Sequence, residues 1–304
     1  MELNDYQRQA NRTDQRPLGE VDDKISREMT LVFPLMGMSS EVGSLLNQYK
    51  KHVRDGDAHP LFSQRVKEEL GDILWYVANL AAKLDFSLDD VAQLNLSRIA
   101  ERWPEPGTEQ PAKLLDDDYP LSEQLPRQIT ISFEERQIEG RAKMVMVYEG
   151  EALGDPLVDM NRDPDGYRFH DVFHLTYAAL LGWSPLLRAL LERKRDSEPD
   201  FREVEDSARA IFLEEGLAAY LFSVATDNNF YDRVPQVESE VLRSVKSIVS
   251  HLEVRTRTIA EWQRAILRSF EIWRPLLANN GGTVHLDLVA RTIDYEPPVI
   301  TRTR

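Results

Sequence analysis

The sequence predicts a mainly α-helical protein in two parts: a four-helix bundle, then an α+β unit with a small antiparallel sheet. Three observations carry that expectation. Apolar residues recur at helical spacing through the first hundred positions, as in Ile73, Val77, Leu80 and Ala81. The stretch from Pro104 to Pro126 then holds five prolines, Gly107 and the acidic run Asp116, Asp117, Asp118. Beyond it the period shortens to two, with Ile129, Ile131 and Phe133 alternating with Thr130 and Ser132.

In order along the chain, residues 4–13 read as a first helix capped by Asn4 or Asp5, with Tyr6, Ala10 and Thr13 on one face. A loop over 15–26 contains Pro17 and Gly19. A second helix is expected over 35–51, starting near Pro34, and a polar connection with Asp55, Gly56 and Asp57 follows it. Residues 62–84 make a long third helix and 88–103 a fourth, with Ser87 capping the Asp89–Asp90 first turn. Four amphipathic helices with short connections predict a bundle over 1–104. The proline-rich segment 105–126 reads as a linker and 127–304 as the second domain. There, 129–133 and 143–148 are strands joined by a turn near 137–140, and Asp163 to Gly166 is a turn. Phe169, Phe173, Tyr177 and Leu180 form one helical stripe. Ile259, Trp262, Ile266, Phe270, Trp273 and Leu277 form another. With helices near 202–225 and 237–254, about four helices are expected on the sheet. Gly281 and Gly282 should end the last helix before a strand over 283–290 that joins the hairpin.

Composition narrows the function classes. The chain has 304 residues, 42% hydrophobic and 29% charged, as is ordinary for a globular protein. Its net charge of −15 disfavours general adhesion to nucleic acid or anionic lipid. No uninterrupted apolar run approaches the ~20 residues of a membrane span, so no membrane partner is expected. Zero cysteines exclude disulfides and thiolate metal sites. With an opening Met-Glu-Leu-Asn-Asp unlike a signal or transit peptide, a cytoplasmic setting is expected.

The chemistry concentrates at two acidic clusters, Glu41 with Ser44 and Glu68, Glu69 with Asp72. On a helix, Glu69 and Asp72 share a face, and Glu68 can lean the same way. Asp72 precedes the apolar stripe, so these carboxylates border buried surface and repel one another. A hard divalent cation with oxygen ligands offsets that cost. The alternative is a solvated acidic face paired with lysines such as Lys67.

Residues 1–104 resemble the MazG-like all-α nucleoside triphosphate pyrophosphohydrolases, which include dCTP pyrophosphatases. The family pattern is Glu-x-x-Glu on one helix and Glu-x-x-Asp on the next, supplied here by Glu41 and then Glu69 and Asp72. Asn79, Asp89, Asp90, Asn95, Arg98 and the closing Glu101, Arg102, Trp103, Pro104 continue it. The second Glu of the first pair is Ser44 here, a poorer ligand, and Glu68 can compensate for it. The resemblance implies that magnesium, or manganese in its place, sits on Glu41, Glu68, Glu69, Asp72 and Ser44, with Glu41, Glu69 and Asp72 catalytic. It also implies a nucleoside triphosphate substrate and a homodimer or higher homo-oligomer, and it places the Tyr6 helix beside the active site.

Lys50, Lys51 and Arg54 can face phosphate oxygens or be plain surface charges. Asn79, two turns beyond Asp72, can contact base or sugar, and Asn95 and Arg98 on helix four can reach phosphate. Trp75, Tyr76 and Trp103 are core or base-stacking residues. A second constellation comprises His170, Asp171 and His174, with Glu214 and Glu215 from a later helix. The histidines, at i and i+4, can share one metal or belong to an interhelical hydrogen-bond network. The function expected is a magnesium-dependent nucleotide pyrophosphohydrolase that converts a triphosphate to the monophosphate and pyrophosphate. Its rivals are a non-catalytic nucleotide sensor and a metallohydrolase centred on His170 and His174.

Overall fold

The computed structural model describes residues 1–15, 24–103, 113–159 and 164–298. The expected loop at Pro17 and Gly19, the turn residue Asp163 and the prolines Pro104, Pro106 and Pro111 lie outside them. The chain forms two compact units, Met1–Ala100 and Glu101–Arg304.

The first unit is helical, with α1 Leu3–Asn11, α2 Lys24–Asp55, α3 Phe62–Lys83 and α4 Leu88–Arg102. A short 3-10 turn, Gly56–Ala58, follows α2. Ser87 caps α4 as its sequence suggests, its Oγ accepting from the Asp90 N–H at 3.3 Å. The amide of Gln7 on α1 ties the α3–α4 junction, donating to the Phe86 carbonyl at 2.8 Å and accepting from the Leu88 N–H at 3.1 Å. One expectation fails at α2: the helix does not start near Pro34 but runs through it from Lys24. A proline inside a helix forfeits a single backbone hydrogen bond and invites a bend. That loss is small beside the bonds of a 32-residue helix.

The same helix corrects the reading of its hydropathy. Glu28–Ala58 is long and apolar enough, by length and composition alone, to cross a bilayer, with a mean hydropathy of 1.3 in its most apolar window. Charges such as Glu41 interrupt that stretch without outweighing its Met, Leu and Val content. Only 6% of the window is buried. Met29, Phe33, Leu35, Met36, Val42 and Leu46 are all exposed. The unit's own core is correspondingly thin: Ala10, Ala78, Ala81 and Leu88, with Tyr6, Trp75 and Val77 packed on it.

The second unit holds a five-stranded antiparallel sheet in the order β3-β2-β1-β4-β5. Its strands are β1 Gln128–Ile138, β2 Arg141–Tyr148, β3 Glu151–Leu157, β4 Gly282–Asp287 and β5 Thr292–Glu296. The hairpin turns where expected: Ile138 pairs with Arg141 across Glu139 and Gly140, both at positive φ as a tight hairpin requires. The late strand joins it, with Ile131 opposite Val284. Strands β3 and β5 are additions that the sequence reading missed. Outer strand β3 contains Gly154 at φ +73° and Pro156, and its register against β2 shifts between Met144 and Met146. At the other margin, the Arg268 guanidinium donates to the Ile293 carbonyl of β5 at 2.5 and 3.0 Å.

Among the described residues this unit has six α-helices where about four were expected, with α5 and α10 against the sheet: α5 Asp171–Leu181, α6 Pro185–Leu190, α7 Pro199–Glu205, α8 Ala208–Thr226, α9 Ser239–Ile248 and α10 Ile259–Ala278. The continuous helix expected over 202–225 is broken at Asp206, and Ser207 recaps the chain by accepting from the Ala210 N–H. Every residue of α5 is buried. Phe173 of α5 meets Phe270 of α10 edge-on, with ring centroids 4.9 Å apart, and the inner face of β1 supplies Ile129, Ile131 and Phe133. Residues 113–126, within the stretch read as a linker, pack into this unit, and Leu125 is 1% exposed.

A chain of alternating charges is buried beside this core. Asp116 accepts from Arg188 at 2.7 Å, and Arg188 lies 4.0 Å from Asp206. Asp206 in turn holds Arg195 through three hydrogen bonds, and Arg195 reaches Glu253 at 2.7 Å. Glu205, 4% exposed, accepts from the Glu253 N–H at 3.0 Å. Burial pushes its carboxyl up to about 7, with the Glu253 charge adding to the rise. The folded state therefore keeps a proton that the unfolded chain releases, and stability falls as pH rises from the ordinary 4.5 through about 7. Glu205→Gln retains the acceptor for Glu253. It should raise Tm by a few degrees above pH 7 and leave Tm unchanged below pH 4.5. Thermal unfolding of both proteins across that range checks this, and an equal shift at all pH values would remove titration as the cause.

Candidate active site

In the first unit, α2 and α3 run together so that Glu41 faces the Glu69–Asp72 turn. The periodicity of α3 puts Ala78 and Ala81 inward and leaves Glu69 and Asp72 at the margin. One carboxylate oxygen from each of Glu41, Glu69 and Asp72 lies within 4.8 Å of the other two. Burial, then the charges of Asp72 and Glu69, hold the Glu41 carboxyl above its usual range. The Tyr6 phenol is also raised, by burial and then by Asp72, which places α1 against the same cluster. Three hard oxygen donors gathered against their own repulsion fit a hard divalent cation.

The other expected ligands are placed differently. Glu68 turns away to Arg65 at 2.9 Å and Gln64 at 3.0 Å, and this pairing, with Gln64 first, lowers its carboxyl. Ser44 is half-buried one turn beyond Glu41. One turn further, the Gln48 amide donates to Glu69 Oε1 at 3.2 Å, a partner the sequence reading did not name. Gly43 and Gly71 would meet nothing within 4 Å if given a Cβ, so close packing does not require them. Gly37 is the glycine that packing demands: a Cβ there would fall 2.2 Å from the Tyr76 ring.

Glu41 also borders a cavity of about 440 Å³, lined further by Phe33, Trp75, Tyr76, Asn79 and Lys83. The Trp75 indole donates to the Ala10 carbonyl at 3.1 Å and to Thr13 Oγ1 at 2.8 Å, and its ring meets Tyr76 edge-on. Lys83 pairs with Asp14 at 2.5 Å, with both side chains largely buried. Asn79 is 3% exposed, and its Nδ2 has no hydrogen-bond partner among the described residues. Of the polar and basic residues read as substrate contacts, the structure brings Asn79 alone to this cavity, beside Trp75 and Tyr76. Lys50 is exposed, Lys51 is half-buried and Arg54 pairs with the adjacent Asp55 at 2.6 Å. Asn95 and Arg98 are exposed on α4, and none of these five lines the cavity.

Comparison with known sequences settles the family. The profile of the MazG nucleotide pyrophosphohydrolase domain matches residues 18–106, and that of the MazG C-terminal domain matches residues 110–299, more than half of the chain. The chain belongs to the MazG family. Among curated proteins, the Gene 37 protein of Mycobacterium phage L5 is 40% identical to it over 74 residues, which are 24% of this chain and 65% of that relative. The MazG chain thus spans less than two thirds of that relative's length. No solved structure matches it. The matched pyrophosphohydrolase region contains the whole carboxylate cluster, and the C-terminal domain is the α+β unit.

The second constellation assembles in that C-terminal domain. His170 is 7% exposed, Asp171 9%, His174 2% and Glu214 0%. Glu215 stands half-exposed at the rim. His170 stacks on the Tyr167 ring at 4.2 Å. Burial opposes charge on His174, but the carboxylates of Glu214 and Glu215 outweigh it and hold the imidazole up to about 10. Asp171 is raised, chiefly by burial.

Proposed function

We propose that this MazG-family chain is a metal-dependent pyrophosphohydrolase that cleaves a nucleoside triphosphate, or a modified one, to the monophosphate and pyrophosphate. The observation that carries this reading is the position of Glu41, shared between the carboxylate cluster and the aromatic cavity. A triphosphate can reach the cluster only with its charge neutralised, whereas a base needs apolar and stacking surface. Here the two requirements meet within one side chain's reach.

Glu41, Glu69 and Asp72 would hold magnesium, with manganese as a substitute. The cation's contribution is positive charge against the triphosphate oxygens. In the reaction, water attacks the α-phosphorus, the α–β anhydride bond breaks and pyrophosphate leaves. Trp75 and Tyr76 flank the base, and the buried Asn79 amide offers it or the sugar an unused donor. Gln48 holds Glu69 in place. Ser44 leaves the site one carboxylate short of the family pattern, so the substrate's phosphates balance more of the cation's charge.

The thin core and the exposed apolar residues of α2 support a homodimer or higher homo-oligomer, another copy covering that face. A buried interface also accounts for the hydropathy of α2 without a membrane, since Glu41 sits midway along it.

The test is to offer the full chain, with magnesium, a panel of ribo- and deoxyribonucleoside triphosphates and to measure pyrophosphate and orthophosphate separately. Pyrophosphate and a monophosphate in equal amounts are expected from at least one of them. Binding without turnover would leave a nucleotide sensor, and orthophosphate as the product would overturn the assigned bond.

A further inference from the structure

We propose that His170, His174 and Glu215 form a second metal site, in the C-terminal domain, for a divalent transition metal of the zinc class with a coordination position open to a neighbouring cavity. His170 Nε2, His174 Nε2 and Glu215 Oε2 converge, one ligand atom from each residue lying within 4.8 Å of the others. The two imidazole nitrogens stand 3.4 and 3.5 Å from Glu215 Oε2. That is long for a hydrogen bond. Two ligand atoms each ~2.0–2.1 Å from a tetrahedral ion stand about 3.4 Å apart, however.

The outer face of the His170 ring is held as a metal-binding histidine requires, and a carboxylate stands beside that of His174. His170 Nδ1 is 2.9 Å from the Tyr167 carbonyl, which can only accept, so Nδ1 carries the hydrogen and Nε2 presents its lone pair. His174 Nδ1 lies 3.0 Å from Glu214 Oε1, and the other oxygen of that carboxylate is fixed by the Leu186 N–H at 2.8 Å. A carboxylate, a histidine and the convergence point thus lie in sequence.

An independent observation points to a ligand. His174 is 2% exposed, and neither of its ring nitrogens makes a well-aligned hydrogen bond among the described residues. A purely structural histidine in that position should have satisfied at least one of them. The nitrogen–oxygen donor set of two imidazoles and one carboxylate selects zinc-like ions over magnesium.

The geometry leaves one side open. His170 and Glu215 both line a cavity of about 520 Å³ that also takes in Tyr167, Arg168, Asp171 and Leu186. Three protein ligands and an open fourth position are the arrangement of zinc sites that bind a water or a small oxygen ligand.

The experiment uses the full chain carrying Asp72→Asn, so that uptake at the carboxylate cluster does not contribute and the outcome is independent of the pyrophosphohydrolase reading. The protein is stripped with a chelator, then titrated with zinc by calorimetry and with cobalt by visible absorption. One zinc per chain and the ligand-field bands of four-coordinate cobalt are expected, with excess magnesium displacing neither. His170→Gln should weaken zinc by more than ~100-fold, beyond the ~10–100-fold that loss of an outer partner costs. Glu215→Gln, at a half-exposed position that tolerates substitution, should do the same while circular dichroism stays unchanged. No zinc uptake by the folded chain, or uptake that Glu215→Gln leaves intact, would overturn the proposal.

Discussion

Asp72→Asn should cut pyrophosphate release at least about 100-fold, the loss expected when a site forfeits several kcal/mol of transition-state charge stabilisation. The substitution keeps side-chain volume and removes one negative charge from a cluster of three. Because Asp72 is exposed, the fold should be indifferent to it. Repulsion inside the cluster should ease, and Tm should stay level or rise slightly. Activity and stability therefore move independently, which separates a ligand from a structural residue. Turnover against magnesium concentration, with Tm measured beside it, decides the matter. An Asp72→Asn protein with parental turnover would sink the carboxylate cluster as the catalytic centre.

Asp206→Ala should cost the second unit about 3–5 kcal/mol, the penalty for leaving buried charge uncompensated. Asp206 lies between two arginines that are each 1% exposed, and it accepts three hydrogen bonds from Arg195 alone. Its removal strands Arg195 with Glu253 and Arg188 with Asp116. By contrast, breaking the exposed Arg8–Asp5 pair should cost no more than about 1 kcal/mol, since water already solvates both groups. Equilibrium unfolding in urea compares the two variants. A cost below about 1 kcal/mol for Asp206→Ala would mean that water reaches the network.

The first unit was legible in the sequence wherever one face is buried. The α3 boundaries follow from its stripe, and Ser87 announces α4. Pro34 misled because a proline read in isolation marks a helix start, while a long helix can absorb it. Strands β1 and β4 showed as alternation, and β2 as the continuous apolar run Met144 to Val147. Strand β3 did not, because Gly154 and Pro156 erase the pattern, and β5 is five residues with acids at two of them. The break at Asp206 was invisible because Asp206 is buried by ion pairing, which no periodicity encodes. Glu41, Glu69 and Asp72 were legible as a set because helical spacing and family order agree on them. Glu68 was misplaced for a local reason: Arg65, one turn earlier, claims it. Phe33, Gln48 and Lys83 escaped notice because only the packing of α2 on α3 brings them to the site.

The margins of the sheet bear on how the protein behaves when crowded. An outer strand with free amides and carbonyls is a template for another chain's backbone, and at high concentration such templates seed aggregates. Here Pro156 removes an amide from one margin and the slipped register bends it, while Arg268 occupies the Ile293 carbonyl at the other. Neither margin offers a flat ladder. Concentrated stocks should therefore resist conversion to fibrils, and Arg268→Ala should be the substitution that makes them vulnerable.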